Sequence, residues 1–445
     1  MRDPSSPRHH RSIPPNRSQR ARAAALAIAS ALTACSASSS APNASAPEER
    51  TAATHAALDP APSCAVDRER ELLVLDLSVV EDPVRAVYPG AWSFGHLVEN
   101  MLGGADRDAF VLHWLAHWDT DQVVDGFTVP AKPTMHDDIV VPWITKSHEN
   151  GVSGLDMRAS PFRLLAIANR LDLAQPCDTG QIVKPGEARF LFGFINVLGD
   201  PKLGSETRMG TMIMEYELAA ASCEQVKKWG NAWHALGSLP LGTAAYNAAL
   251  EAVTESFARP NAAPGRPNGS ALLRIRTNEF MQEGPWQWRQ FELSAAGQLE
   301  QAPVTDTPAT LLNGSALLAD YVNTNEQTIL AGTNTVPTTW RGQPFLGGSA
   351  DGDPVSLFFN APGIHNNEAR HLFSMNTCPG CHTTETPTAF FQVGPRNLGH
   401  RSAVSAFLTG GTSTDPVDGT TVRSFAELDR RAKNLCRVVT SACPP

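Results

Sequence analysis

The 445-residue chain has no Gly-x-Ser-x-Gly elbow, no phosphate-binding Walker loop and no Gly-x-Gly-x-x-Gly turn. A hydrolase nucleophile elbow, a nucleoside-triphosphatase and a dinucleotide-binding half therefore lack sequence support, and no nucleotide cofactor is indicated. Basic residues are scarce beyond residue 34, where 30 Lys and Arg face 44 Asp and Glu with no basic cluster. That balance argues against a nucleic-acid partner. After the same point no apolar run approaches the length that crosses a bilayer. No methionine follows Met375, and beyond His382 the one histidine is His400.

The start of the chain is far from empty. Residues 1–22 carry six arginines and one Asp, followed by an apolar run, Ala23 to Ala31, too short for a permanent span. The run ends in Leu32-Thr33-Ala34-Cys35, which resembles the bacterial lipobox. The resemblance implies a signal peptide over 1–34, cleavage before Cys35 and attachment of membrane lipid to that cysteine. With no Arg-Arg pair in the leader, the general secretory route is expected; an ordinary signal peptide with an incidental Cys35 is the alternative. Ser36, where Asp would signal inner-membrane retention, implies the outer membrane, facing the periplasm or the cell surface. Residues 35–63 are rich in Ala, Ser, Pro and Thr without hydrophobic period, and read as a lipidated cysteine followed by a disordered tether.

Residues 64–360 read as an α+β domain, with strands and helices in runs rather than alternation. Strands are expected at 71–80, 162–169, 188–197, 211–218, 271–280 and 286–294. Helices are expected at 92–102, 106–120, 223–236, 244–257 and 315–323. The helix over 106–120 puts Phe110, Val111, Trp114, Leu115 and Trp118 on one stripe. A long loop fills 331–360, and residues 361–445 form a smaller, mainly helical segment.

That segment holds the most informative residues, Cys378-Pro379-Gly380-Cys381-His382. C-x-x-C-H is the attachment pattern of a c-type haem: two thiols three residues apart reach both vinyl groups, and the next imidazole falls beneath the iron. A helix over 367–376 runs into it. Here the chain resembles the N-terminal helix and haem loop of class I cytochromes c over about residues 366–385. A second helix, 425–438, opens on a Ser424-x-x-Glu427 capping pattern and is placed to pair with the first as in that family. The resemblance implies one haem c, thioethers to Cys378 and Cys381, and His382 on the iron. Phe373 lies one residue further from the first cysteine than the family's aromatic, and the distal methionine is missing. His400 is the candidate distal ligand; a solvated loop histidine or a five-coordinate iron is the alternative. His371 is a poor axial candidate, and nothing argues for His365.

Three other chemistries stay open for the same cysteines: a redox dithiol, half of a zinc site completed by His365, His400 or Cys436, and a structural disulfide. By sequence order, Cys436–Cys443 and Cys177–Cys223 are plausible bridges elsewhere. His113 and His117, with Asp121 a turn on, have the spacing of a one-sided metal clamp, but the flanking tryptophans favour a packed helix edge. Asp351-Gly352-Asp353 has the composition of a turn more than of a calcium loop. Arg274, Arg276 and Glu279 suggest cross-strand ion pairs, or a polar edge facing a ligand.

The expected function is electron transfer by a lipid-anchored envelope haem protein with a redox partner. A binding or structural lipoprotein with a Cys378–Cys381 staple, and a peroxidase-like enzyme with an open iron site, are the alternatives. No catalytic residue is assigned.

Overall fold

Alternation along antiparallel strands, broken by a register shift in three of the ladders, gives the sheet two unlike faces. The computed structural model describes residues 64–176, 182–199, 207–220, 222–279, 285–352 and 357–443. The expected leader, lipidated Cys35 and tether lie outside the described residues. Eight strands form one sheet: β1 (Leu73–Val74), β2 (Phe162–Arg170), β3 (Glu187–Ile195), β4 (Thr207–Glu217), β5 (Leu272–Glu279), β6 (Trp286–Leu293), β7 (Leu299–Ala302) and β8 (Ala350–Gly352). The first seven lie side by side in chain order, every pair antiparallel. β8 completes the edge by pairing with the start of β6, Trp286 opposite Gly352 and Trp288 opposite Ala350. This is the α+β fold with a mainly antiparallel sheet that the residue pattern implies.

The expected long strand over 71–80 shrinks to β1. Asp67 and Asp76 each accept backbone N–H groups and start single-turn helices on either side of it, Arg68–Glu71 and Leu77–Val80. The Asp351-Gly352 turn is likewise replaced by strand β8; Asp353 lies outside the described residues.

One sheet face is aromatic. Phe190, Phe192 and Phe194 of β3, Met212, Met214 and Tyr216 of β4, and Phe291 of β6 are all fully or nearly fully buried. They pack beneath α1 (Phe94–Glu99), α2 (Arg107–Leu115), α3 (Val141–Glu149) and α5 (Ala244–Ala258). Phe94 lies 4.4 Å from Phe162, Trp118 lies 4.9 Å from Phe291, and Phe257 lies 5.5 Å from Tyr216, between ring centroids. Each such ring contributes roughly 1.5–3 kcal/mol by leaving water.

The other face, from alternate residues of the same strands, carries Arg170, Glu187, Arg189, Glu215, Arg274, Arg276 and Asn278, all buried. The C-terminal segment covers it. Within that segment α7 (Asn367–Met375) is capped by Asn366, α8 (Cys378–His382) by Thr377, and α9 is Glu427–Thr440. (α4 is Cys223–Leu236 and α6 Ala316–Thr324.) The whole described chain belongs to one compact unit. No helix among the described residues is long and apolar enough to cross a membrane.

Two expectations fail in this segment. Ser424 does not cap the last helix: Val422–Phe425 is a strand paired with Gly411–Thr414, and Ala426 stands at the N-cap with no side-chain bond. Nor is α9 the partner of α7. It packs on α4, where Gly230 lets Val438 approach to 3.1 Å of a would-be Cβ. Lys227 Nζ donates to the Ser441 carbonyl beside this contact, at 2.7 Å. The disulfides also differ from the order-based pairing: Cys64 joins Cys436, and Cys223 joins Cys443. Three-dimensional proximity, not nearness in sequence, selects partners. Cys177 lies outside the described residues.

Candidate functional site

α7 ends at Met375 and hands the chain to the C-x-x-C-H turn through a contact only glycine allows. A Cβ on Gly380 would sit 2.0 Å from the Ser374 carbonyl oxygen. Thr377 ties the two helices by donating to the Ser374 carbonyl at 2.6 Å and accepting from the Gly380 N–H at 3.2 Å. The Cys378 N–H donates to Thr307 Oγ1 at 3.1 Å. The Cys381 carbonyl accepts from Thr386 Oγ1 at 2.6 Å and Gln392 Nε2 at 3.1 Å. Each thiol is thus held at the end of a fixed backbone, and both cysteines are buried.

His382 is oriented by its neighbour loop. Its Nδ1 lies 2.8 Å from the Phe390 carbonyl, which can only accept, so Nδ1 carries a proton and, in the neutral ring, Nε2 holds the lone pair. The Phe390 N–H returns a bond to the His382 carbonyl at 3.1 Å. Asn278 of β5 donates to the same Phe390 carbonyl at 2.8 Å and is itself held by Trp286 Nε1 at 2.6 Å. Phe390 adopts φ +66°, a left-handed conformation costly for a bulky residue, and these bonds over-determine it. Imidazoles that bind metals are commonly set in this way, through the nitrogen away from the ion.

Cys378, Cys381 and His382 all line one cavity between α8 and the charged sheet face. The sheet contributes Arg170, Arg189, Leu191, Ile213, Arg276 and Trp288; Val393, Phe407, Leu408 and Arg431 close the far side. The unfilled space is about 880 Å³, counting its solvent-facing mouth.

The cavity's charge is unbalanced at one corner. Arg170, Arg430 and Arg431 meet two carboxylates, Asp172 and Glu427, among the described residues. Burial alone would raise the Asp172 carboxyl; the three guanidinium groups outweigh it and hold the group well below its usual range. Arg431 is pushed down to about 10, first by burial and then by Arg170 alongside. An anion entering here meets a cation that wants one. Trp288, 5.7 Å from the His382 ring, has an indole N–H that is buried without an acceptor.

The chain matches no family model, no curated protein and no solved structure. Function must therefore be argued from these side chains.

His400 does not join the site. It is exposed, its Nδ1 lies 3.0 Å from the Leu398 carbonyl, and it is absent from the cavity wall. The residues proposed to complete a zinc site do not converge either. Cys436 is bridged to Cys64, the backbone of His365 is bound to Asn323, and Cys378, Cys381 and His382 form no close ligand cluster. A thioredoxin-like arrangement is not formed, since helix α7 precedes the motif.

His371 belongs to a buried network behind the loop. Its Nδ1 lies 2.5 Å from Glu385 Oε2, and Arg370 binds both Glu385 and Asp415. Arg274 and Arg276 both bond Glu215, which gives the expected cross-strand pairs, while Arg276 also lines the cavity.

Sequence reasoning missed Arg170, Arg431, Trp288, Asn278 and Phe390. For Trp288 and Asn278 a signal existed: Asn278 is two residues from Arg276 on β5, and Trp288 stands opposite Asn278 on β6. For Arg431 and Phe390 the chain gives none.

Proposed function

We propose that this cavity seats one covalently attached haem c and that the protein is a lipid-anchored envelope carrier of electrons. The observation that supports it is a convergence: two buried cysteines at C-x-x-C spacing and an imidazole tied down through its Nδ1 face one cavity. The donor set suits the group. Cys378 and Cys381 would hold the thioethers and His382 Nε2 the iron, with its Phe390 hydrogen bond fixing tautomer and ring plane. Arg170 and Arg431 would offset the haem carboxylates, and the unsatisfied Trp288 N–H would find an acceptor. Leu191, Ile213, Val393, Phe407 and Leu408 would exclude water. When bound, the haem supplies one-electron redox chemistry to a partner protein.

A second reading has its own support. The described cavity wall offers no second imidazole and no thioether, which suits an iron with an open position and peroxide or small-ligand chemistry better than bis-His ligation through His400.

The test is expression of the full chain in a host that exports proteins and attaches haem. The mature protein should show a Soret band and an intact mass greater by one haem; C378S/C381S should lose both, and C35S should lose the lipid mass and membrane retention. A colourless, unmodified product from the wild-type chain rules the reading out. CO binding to the reduced protein without displacement of a ligand selects the open-site version.

A further inference from the structure

We propose that His113, His117 and Glu300 form a second, separate metal site, binding one divalent ion of the zinc class with a coordination position open to solvent. His113 lies in α2 and His117 one turn on, in the short 3-10 turn Ala116–Trp118; Glu300 comes from β7, 183 residues beyond His117. His113 Nε2 lies 3.0 Å from Glu300 Oε1, and His117 Nε2 lies 3.1 Å from Oε2. The three ligand atoms lie within 4.8 Å of one another. Ligands about 2.0–2.1 Å from a tetrahedral ion stand roughly 3.3 Å apart, so small adjustments admit the ion.

The tautomer points the same way. His117 Nδ1 lies 3.1 Å from the His113 carbonyl and 3.0 Å from the Trp114 carbonyl. Both are acceptors, so Nδ1 carries a proton and Nε2 is the nitrogen aimed at the carboxylate. The His117 ring is 9 % exposed in its side chain and packed 5.6 Å from Phe291, so its direction is fixed before any ion arrives. His113 and Glu300 are about half exposed, which leaves one side of the site to water or a substrate ligand.

The contrast with the His371, Glu385 and Asp415 cluster decides between the two candidate groups. There Arg370 already supplies the cation that both carboxylates bind. Around Glu300 no Lys or Arg of the described residues is bonded, and the two imidazoles are its partners.

The experiment uses the full mature protein, stripped with EDTA and titrated with Zn²⁺ by calorimetry. One ion per chain is expected, with affinity reduced at least ~10-fold in H113A and in E300Q. C378S/C381S should bind Zn²⁺ as the wild type does, which separates this site from the haem cavity. Both test positions are half exposed, and unchanged far-UV circular dichroism would confirm folding. Absence of stoichiometric binding, or binding unaltered in H113A and E300Q, overturns the site and leaves an ordinary histidine–carboxylate ion pair.

Discussion

The aromatic and charged faces of the sheet are made by the same strands, one residue out of phase, and they solve burial differently. On the aromatic face Phe192 and its neighbours are stabilised by leaving water, a contribution that does not change with pH. On the other face Arg170, Arg431 and Asp172 are desolvated and recover that cost through one another. The first solution is complete within the protein. The second leaves positive charge at a cavity wall, and its contribution depends on pH where that of the first does not.

The sharpest way to break that contrast is to remove one buried anion. D172N leaves three guanidinium groups around a neutral amide and is expected to cost about 3–5 kcal/mol, read by denaturant unfolding. Its pH signature matters as much. Asp172 has a folded-state pKa below its unfolded value, near 3.9, so its contribution is full above about pH 4 and drains away as pH falls through the lower folded value. The wild type should lose melting temperature below pH 4 more steeply than D172N; parallel curves would refute the linkage.

F192A on the opposite face should cost about 3–4 kcal/mol, by the same amount at pH 4 and pH 8. A pH-dependent penalty there would mean the faces are not energetically distinct. R431M is the finer probe. Removing a buried cation crowded by Arg170 should stabilise the haem-free chain by about 1 kcal/mol or more, and should lose that gain once haem carboxylates are present. Equal melting shifts in both forms would deny Arg431 its anion-receiving role. The smallest effect belongs to S222A, which removes the capping-box serine of α4, distant from the cavity, and should cost about 1 kcal/mol with no change in haem content.

Much of this comparison could be read from the residues. The alternation in Phe190–Phe194 and in Arg274–Asn278 defines strands and faces, and helix α4 begins at Cys223 where its Ser222 cap puts it. The C-x-x-C-H turn is legible because its chemistry is local. What was hidden is long-range. Glu300 meets His113 through the path of β7, and Arg431 reaches Arg170 because α9 lies on α4 instead of α7. The Ser424 capping pattern misled because pairing with Gly411–Thr414 claimed those residues first. The two disulfides were out of reach for the same reason, since loop closure over hundreds of residues leaves no spacing to recognise.

The Cys64–Cys436 bond has a mechanical consequence. Any tension arriving along the residues before Cys64 passes covalently to the final helix, and Cys223–Cys443 carries it on into α4. The load is shared between the backbone that leads into the two-residue strand β1 and the last helix. A pull arriving at Cys64 would thus be met at both the first and the last described segments of the fold at once.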